Sequence, residues 1–412
     1  MPHSNGVMPK IFVSDANRGS AIAIIRSLGR KGYRVVAADS DPQSLGFKSR
    51  YVHEKVVYPA PELNPQAFVD FMLETVAAKG IDLIVPVTDL VVQPLAHSRD
   101  RFEKHTLLAI PSDELLAAVT DKDKTVAIAK KLHVPVPQTY TVDSVTEALQ
   151  KADDLGWPVV LKPKVSRLLH AGESIEKFKV TYAENPDSLR RQMQNLEGRC
   201  PVLLQSYFDG IGHGVELLMN EGEPVAAFQH KRLREMPISG GPSSYRESVK
   251  LHPDLYEHSV RLLQELRWTG LAMVEFKVGD SRAELMEING RVWGSLPLAV
   301  ASGVDFPAML AQLYLDGASS LQRNLDSNYQ IGLRCRNLGL DLMWIYSVLA
   351  GRKKYSFFKM PNRSQAVSAF LSLFNPANKF DLLSLEDPTP GFAEIPRIYQ
   401  KFLKKKKETY QS

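Results

Sequence analysis

Residues 284–295 read "ELMEINGRVWGS". Met286 and Ile288 alternate with Glu287, Asn289 and Arg291, the period-two signature of a β-strand with two unlike faces. One face therefore carries an acid, an amide and a guanidinium. Just upstream, "LAMVEFKVG" (271–279) sets Val274, Phe276 and Val278 on one face and Glu275 on the other. The intervening "GDSR" predicts an antiparallel hairpin turning near Ser281, which brings Glu275 close to Glu287. Two carboxylates at that proximity raise each other's pKa unless a cation lies between them. A hard divalent ion suits the oxygen donors of Glu275, Glu287 and Asn289. The plain alternative is a solvated face with chance acids; Asn289 and Arg291 on the same face weigh against it.

Working outward, the chain of 412 residues exceeds the usual size of one hydrophobic core, so two to three domains are expected. Hydrophobic residues make up 44% and charged ones 24%, the values of an ordinary soluble globular protein. The formal net charge of +5 is held largely by the C-terminus, so a nucleic-acid binder is not indicated. Two distant cysteines, Cys200 and Cys335, build neither a disulfide framework nor a cysteine-rich zinc site, and a reducing cytoplasm fits. The first ten residues lack the apolar segment of a signal peptide, and no run of about 18 apolar residues predicts a spanning helix.

Residues 10–42 form a β-α-β pattern: "IFV", the loop "SDANRGS", the helical "AIAIIRSLGRKGY", then "RVVAAD" ending at Asp39. A helix near 66–79, the strand "DLIVPV" and the short strand "TLLAIP" extend it. Residues 1–115 thus read as a small Rossmann-like α/β domain. A helix follows in "TDKDKTVAIAKKL", with Thr120 or Asp121 as its cap. Strands are expected at "WPVVLKPKV", "FKVTYA", "PVLLQSYF" and "GVELLMN", the last pairing with "EPVAAFQHKRL" across "NEGE". "HPDLYEHSVRLLQEL" has helical spacing. From about 320 onward, with a helix at "LDLMWIYSVLAG" and the tail "KFLKKKKE", the chain reads as an appended, mainly helical region outside the central sheets.

A metal site of this kind suggests nucleotide phosphates as further ligands, and those need cations. Lys162 lies in the apolar run "VVLKPK", where a lysine requires an anionic partner unless an edge lets it reach water. Lys122 opens a helix, the end at which a cation is normally unfavourable; a shared anion resolves this, and so does simple exposure. Lys231 and Arg232, on "FQHKRL", are phosphate or substrate contacts or a solvated strand end.

These motifs, in this order, resemble the ATP-grasp superfamily of the carboxylate–amine ligase kind, over roughly residues 10–318. More distantly they are similar to the ATP-binding halves of carbamoyl phosphate synthetase and to D-alanine–D-alanine ligase. "DKDKT…VPVPQT" and "WPVVLKP" resemble the first ATP-binding lobe, "VLLQSYFDGIGHGVEL" the adenine hinge, "ISGGPSSYRES" a glycine-rich substrate loop, and "LAMVEFKV…ELMEINGRVWGSLPLAVASGVD" the metal-binding end. The resemblance implies a Rossmann-like pre-ATP-grasp domain (1–115) and a two-lobed ATP-grasp domain (116–318, lobes about 120–203 and 204–318). A C-terminal extension (319–412) follows. It implies ATP with Mg²⁺, or Mn²⁺, held by Glu275, Glu287 and Asn289. Lys122 and Lys162 would sit on the nucleotide phosphates and Arg291 on the transferring phosphate. Gln205, Ser206, Tyr207 and Phe208 would face adenine, and Glu216 would reach ribose or the nucleotide. Gln205 stands where the family's hinge usually has an acid, and the expected phosphate flap "SRLLHAGES" has one glycine. Arg246 is proposed to bind a substrate carboxylate; the alternative is an exposed arginine in a surface turn.

The implied reaction activates a small carboxylic acid as an acyl phosphate, which an amine then displaces. A homodimer fits the family. Two other classes stay open. Asp39 and the first loop offer a weak match to an NAD(P)-dependent oxidoreductase, although Gly19 alone stands where G-x-G-x-x-G would be. A non-catalytic nucleotide-binding module is the other. The basic tail, with Ile395, Ile398, Tyr399 and Phe402, is a candidate for peripheral contact with an anionic membrane, against the alternative of a frayed, solvated end.

Overall fold

The computed structural model describes residues 8–164, 167–169, 175–351, 353 and 355–410. Of the expected flap, residues 166–174, Ser166 and residues 170–174 lie outside them, as does the very N-terminus.

Five parallel strands form the first sheet: β1 (Lys10–Val13), β2 (Arg34–Asp39), β3 (Val52–Val57), β4 (Leu83–Val85) and β5 (Leu107–Leu108), in the order β3-β2-β1-β4-β5. The near-continuous apolar runs of β1, β2 and β4 are those of strands covered on both faces, whereas β3 and β5 are the partly exposed edges. The helices Gly19–Arg30 and Pro65–Lys79 provide such cover, the first burying Ile22, Ile24 and Ile25, the second Phe68 and Met72.

A smaller lobe follows. β6 (Thr139–Val142), β7 (Val159–Pro163), the ribbon of β8 (Arg167–Leu169) with β9 (Ile175–Lys177), β10 (Thr181–Ala183) and β11 (Val202–Ser206) appear in chain order. Its main sheet runs β10-β7-β11-β6. Two helices, Val145–Leu155 and Pro186–Gln194, start on Ser144 and Asn185, whose side chains accept from backbone N–H groups three residues on.

The largest sheet has seven strands: β12 (Ile211–Asn220), β13 (Glu223–Glu235), β14 (Ser243–Val249), β15 (Gly270–Val278), β16 (Ala283–Asn289), β17 (Arg334–Arg336) and β18 (Lys379–Phe380), in the order β16-β15-β12-β13-β14-β17-β18. Its apolar face (Val215, Leu217, Ala272, Val274, Phe276, Ile288) packs on the helix Pro253–Glu265 and on Val119, Ala129 and Trp268. The hairpin pairing of β12 with β13 is as expected from "NEGE".

Two expectations are corrected. The C-terminal region is not outside the central sheets: β17 pairs with β14, and β18 pairs with β17. Arg336 and Asp341 from this region are fully buried and ion-paired at 2.9 Å, so it is part of the sheet's core. Strands of two and three residues are too short to show a period in sequence. The second correction concerns "SGGPSSYRE", read as a substrate loop. Only its first part is a loop; Ser243–Val249 is a strand whose Arg246 points inward.

Candidate active site

The cleft is built on the polar face of the large sheet. Glu275, which the turn length predicted to lie close to Glu287, is directly opposite it, and Met273 is opposite Asn289. A bulge follows, because Phe276 pairs with Leu285 and Met286 has no opposite number. Met286 was expected in the core; the bulge instead turns it into the cleft. Asn289 Nδ2 donates to Glu275 Oε1 at 3.0 Å and to Glu287 Oε1 at 3.2 Å, and Arg232 is ion-paired with Glu275 Oε2. Burial pushes the Glu275 carboxyl up, against the pull of Arg232, and the neighbouring Glu287 adds to the rise. An acid pair held this way is a site short of positive charge.

Across the sheet the same face continues. Gly214 sits opposite both Glu275 and His230, and Gly212 opposite Lys277. Those two glycines remove side chains where longer neighbours must cross. A Cβ on Gly212 would lie 2.8 Å from Arg232 Cδ and 2.9 Å from Glu235 Oε1. A Cβ on Gly214 would collide with the His230 ring and lie 3.0 Å from Met273 Sδ. The glycines thus let Arg232 and His230 lean over the strand toward the acids. Sequence reasoning named Arg232 only in passing and gave His230 no site role, although the G-x-G spacing at 212 and 214 was the signal.

The lysines come from the small lobe and its entrance. The helix Lys122–Lys131 is capped by Asp121, which accepts from Asp123 N and Lys124 N, settling the choice between Thr120 and Asp121. Lys122 Nζ donates to Pro163 O at 3.0 Å, and burial pushes its pKa down. Lys162 on β7 is partly exposed to the cleft but enclosed by its walls, and that desolvation brings its ammonium down to about 8 against the attraction of Glu287. Arg291, just beyond β16, donates through Nε to Asp89 Oδ1 at 2.7 Å on the helix Asp89–His97; burial pulls its pKa down, and Asp89 together with Glu287 and Glu275 more than offsets this and holds it up.

These side chains surround two cavities of about 500 and 520 Å³ that share Lys162, Gln205, Met286, Glu287, Asn289 and Arg291. They are two halves of one cleft. Lys122 lines only the first half; Ser206, Tyr207, Phe208 and Glu275 line only the second. Gln205 is turned partly away, with Nε2 donating to Thr139 Oγ1 at 2.8 Å. The backbone beyond it is fixed by Lys277 Nζ on Phe208 O at 3.2 Å.

Two expected site residues lie beneath the cleft. Arg246 is 1% exposed, and its guanidinium is ion-paired with Asp381 and within 3.4 Å of Gly294 O. It is therefore not the exposed arginine of a turn; it fixes the backbone beside the cleft. Glu216 is fully buried, so the expectation that it reaches ribose is corrected. Its Oε1 accepts from Ser295 Oγ at 2.7 Å and lies 2.9 Å from His230 Nδ1, and its row on the sheet, beside Phe228 and Met273, is roofed by these neighbours.

Among the described residues no three His, Cys, Asp or Glu side chains converge on a point. Two carboxylates and an amide do fit an oxygen-seeking ion that takes its other ligands from phosphate or water.

Residues 199–335 match the family "ATP-grasp in the biosynthetic pathway with Ter operon". Three solved structures share the fold. The first is the biotin carboxylase domain of Hydrogenobacter thermophilus 2-oxoglutarate carboxylase, in complex with MgADP, ADP and bicarbonate, at 17% identity and TM-score 0.60, over 79% of this chain and 73% of that one. The second is L-amino acid ligase from Bacillus licheniformis, at 16% and 0.56, over 74% and 73%. The third is phosphoribosylglycinamide synthetase from Anaerococcus prevotii, at 16% and 0.57, over 80% of both chains. The fold is the one these structures share, and the family match to ATP-grasp spans residues 199–335, which include the acid-bearing hairpin.

Proposed function

We propose that the chain is an ATP- and Mg²⁺-dependent ligase that activates a carboxylic acid as an acyl phosphate and joins it to an amine, releasing ADP and phosphate. The observation that carries this reading is the opposed pair Glu275–Glu287, bridged by Asn289, in a cleft that also holds Lys122, Lys162 and Arg291. Mg²⁺ bound by Glu275, Glu287 and Asn289, or Mn²⁺ in its place, would neutralise phosphate charge and so promote transfer. Lys162 and Lys122 hold the phosphates, and their burial makes them cations that gain from an anion. Residues 205–208 border the adenine, with backbone rather than the Gln205 side chain free to pair with it. Arg291 stands at the transferring phosphate, once a ligand competes with Asp89 for its guanidinium. The acyl phosphate survives only where water is excluded, which a cleft between two lobes can provide. In this reading residues 1–115 and the large-sheet lobe supply the acid and amine subsites, and Arg246 orders the wall at Gly294.

The oxidoreductase alternative is disfavoured by the first loop. Asp39 accepts from Asn17 N, Asp41 N and Ser44 Oγ, so its carboxylate serves the loop itself. Arg397 of the C-terminal helix donates to Asn17 Oδ1 and Asp41 Oδ2, covering the place where a dinucleotide would lie. Among the described residues no single helix is long and apolar enough to cross a membrane. Contact of the basic tail with an anionic surface is a separate proposal; equal pelleting on anionic vesicles with and without the tail would end it.

A screen of amino acids and sugar acids against amine acceptors, read as ADP release with mass spectrometry of the products, tests the ligase reading. Acid-dependent ADP release that Glu287→Gln abolishes is expected. Stabilisation by NAD(P) and not by ATP with Mg²⁺ would overturn it.

A further inference from the structure

The buried pair Glu216–His230 is left over by the phosphate chemistry. Each is out of solvent, at 0% and 1% exposure, and burying two such groups is costly unless they are used or fully paired. They are not fully paired: among the described residues Glu216 Oε2 has no partner, and His230 Nδ1, although 2.9 Å from Glu216 Oε1, is not aligned for a hydrogen bond with it. The indole N–H of Trp293, which is wholly buried and lines the same half of the cleft as His230, also has no partner among the described residues. An unused indole donor beside a lining histidine, with a buried carboxylate behind the histidine, is a corner shaped for a ligand.

The geometry of the ring is specific. His230 Nδ1 lies 2.9 Å from Glu216 Oε1, and the same oxygen accepts from Ser295 Oγ at 2.7 Å. A carboxylate at that distance favours, by its charge, the neutral tautomer with its proton on Nδ1, which leaves the lone pair on Nε2. The ring leans over Gly214, where a Cβ would collide with Cε1. With Nδ1 on Glu216 and Cε1 over Gly214, Nε2 is the nitrogen left to the cleft. Gly214 in turn sits directly opposite Glu275, so the ring shares a row with the two acids assigned to Mg²⁺. Two strand spacings, about 10 Å between backbones, separate His230 from Glu275, which leaves room for an acyl group and its nucleophile.

We propose that His230 is the proton acceptor for the attacking amine in the second half-reaction, with Glu216 as its positioning residue and the corner of Trp293, Gly294 and Ser295 as the amine subsite. The proposal rests on the ligase reading above. An amine reaches the site largely as an ammonium ion. It gives one proton to solvent on binding; as its lone pair forms the C–N bond, the C–O bond to phosphate breaks, the electron pair leaves with phosphate, and the second proton passes to Nε2. Glu216 then stabilises the imidazolium across Nδ1. Burial lowers the basicity of His230 and Glu216 restores part of it, with Arg232 and Arg246 as the nearby cations that oppose protonation.

The two half-reactions separate the roles. Hydroxylamine is uncharged at neutral pH and traps an acyl phosphate as a hydroxamate without needing a base. The full-length protein, ATP, Mg²⁺ and the acid found in the screen are assayed twice, once with hydroxylamine and once with the amine. His230→Asn should keep hydroxamate formation and the Kd for MgATP within about threefold, while amide formation falls about 10²- to 10⁴-fold. Glu216→Gln should lower kcat for the amide with the hydroxamate rate intact, a split that a merely structural role would not give. Equal losses in both assays, or amide formation within threefold of the parent, overturn the proposal and leave the ligase reading standing. A parent protein that yields no hydroxamate from any acid overturns both.

Discussion

Asp381 offers the sharpest test of how the C-terminal region belongs to the fold. It precedes no motif and follows a two-residue strand, yet its carboxylate meets Arg246 beneath the cleft, at 3.4 Å from Nη1 and in an ion pair with Nη2. It also accepts from Asn337 Nδ2 at 3.1 Å and from Cys335 Sγ at 3.3 Å. Arg246 and Asp381 are 1% and 4% exposed, so neither charge is solvated on its own. At 3.4 Å and an effective dielectric of about 20, their attraction is about 5 kcal/mol. Removing one partner of such a pair typically costs about 3–5 kcal/mol, because the other charge is left buried. Asp381→Asn should therefore lower the free energy of unfolding in urea by about 3 kcal/mol or more, at unchanged slope. Arg246→Met combined with Asp381→Leu should recover most of that loss, since it removes both charges together. A cost below about 1 kcal/mol for Asp381→Asn, or no recovery in the double variant, would refute the claim that this pair joins the C-terminal strands to the sheet.

The pH dependence of MgATP binding follows from Lys162. Burial holds its ammonium down to about 8 in the free protein, and a bound phosphate raises it again. Affinity should therefore be level below about pH 8 and weaken as pH rises above it; Kd unchanged up to about pH 10 would contradict this. Glu394 makes stability fall with rising pH too, over a lower range. Burial, with Asp381 nearby, lifts its carboxyl to about 7, above the unfolded value, so its folded form holds a proton that the unfolded form has lost. Stability should fall as pH rises from about 4.5 to 7 and then level off. Glu394→Gln should remove that slope and be up to about 3 kcal/mol more stable than the parent at pH 8, as urea melts across pH would show. Gly214→Ala should displace His230 and lower amide turnover more than it alters the Kd for MgATP; a fully active Gly214→Ala would mean that the ring does not need the space.

The acid-bearing hairpin was legible because its code is local. Alternation fixes which side chains share a face, and a short turn limits which residues meet across it, so the sequence alone brings Glu275 close to Glu287; the structure sets them directly opposite. The cap, narrowed to Thr120 or Asp121, and the lysine in an apolar strand were legible for the same reason, and the structure chose Asp121. His230 and Arg232 were not, because their relation to Glu275 depends on the register of β12 between two other strands, which turn length alone does not carry across. The bulge at Met286 was hidden too: one inserted residue leaves the period-two pattern looking intact. Arg246 and Glu216 were misjudged in burial. A charged side chain in a strand reads as exposed or functional, and only the partner, Asp381 from more than a hundred residues on and His230 from the next strand, shows that it is internal.

The measurement that bears most directly on the central claim is nucleotide binding to the parent protein and to Glu275→Gln and Glu287→Gln by calorimetry, with and without Mg²⁺, followed by acid-dependent ADP release. The account predicts that Mg²⁺ strengthens ATP binding in the parent and that both variants lose this gain while remaining folded. It also predicts that neither variant releases ADP in response to an acid. Variants that keep Mg²⁺-dependent binding and turnover at the parent level would contradict the assignment of these two carboxylates, and with it the site.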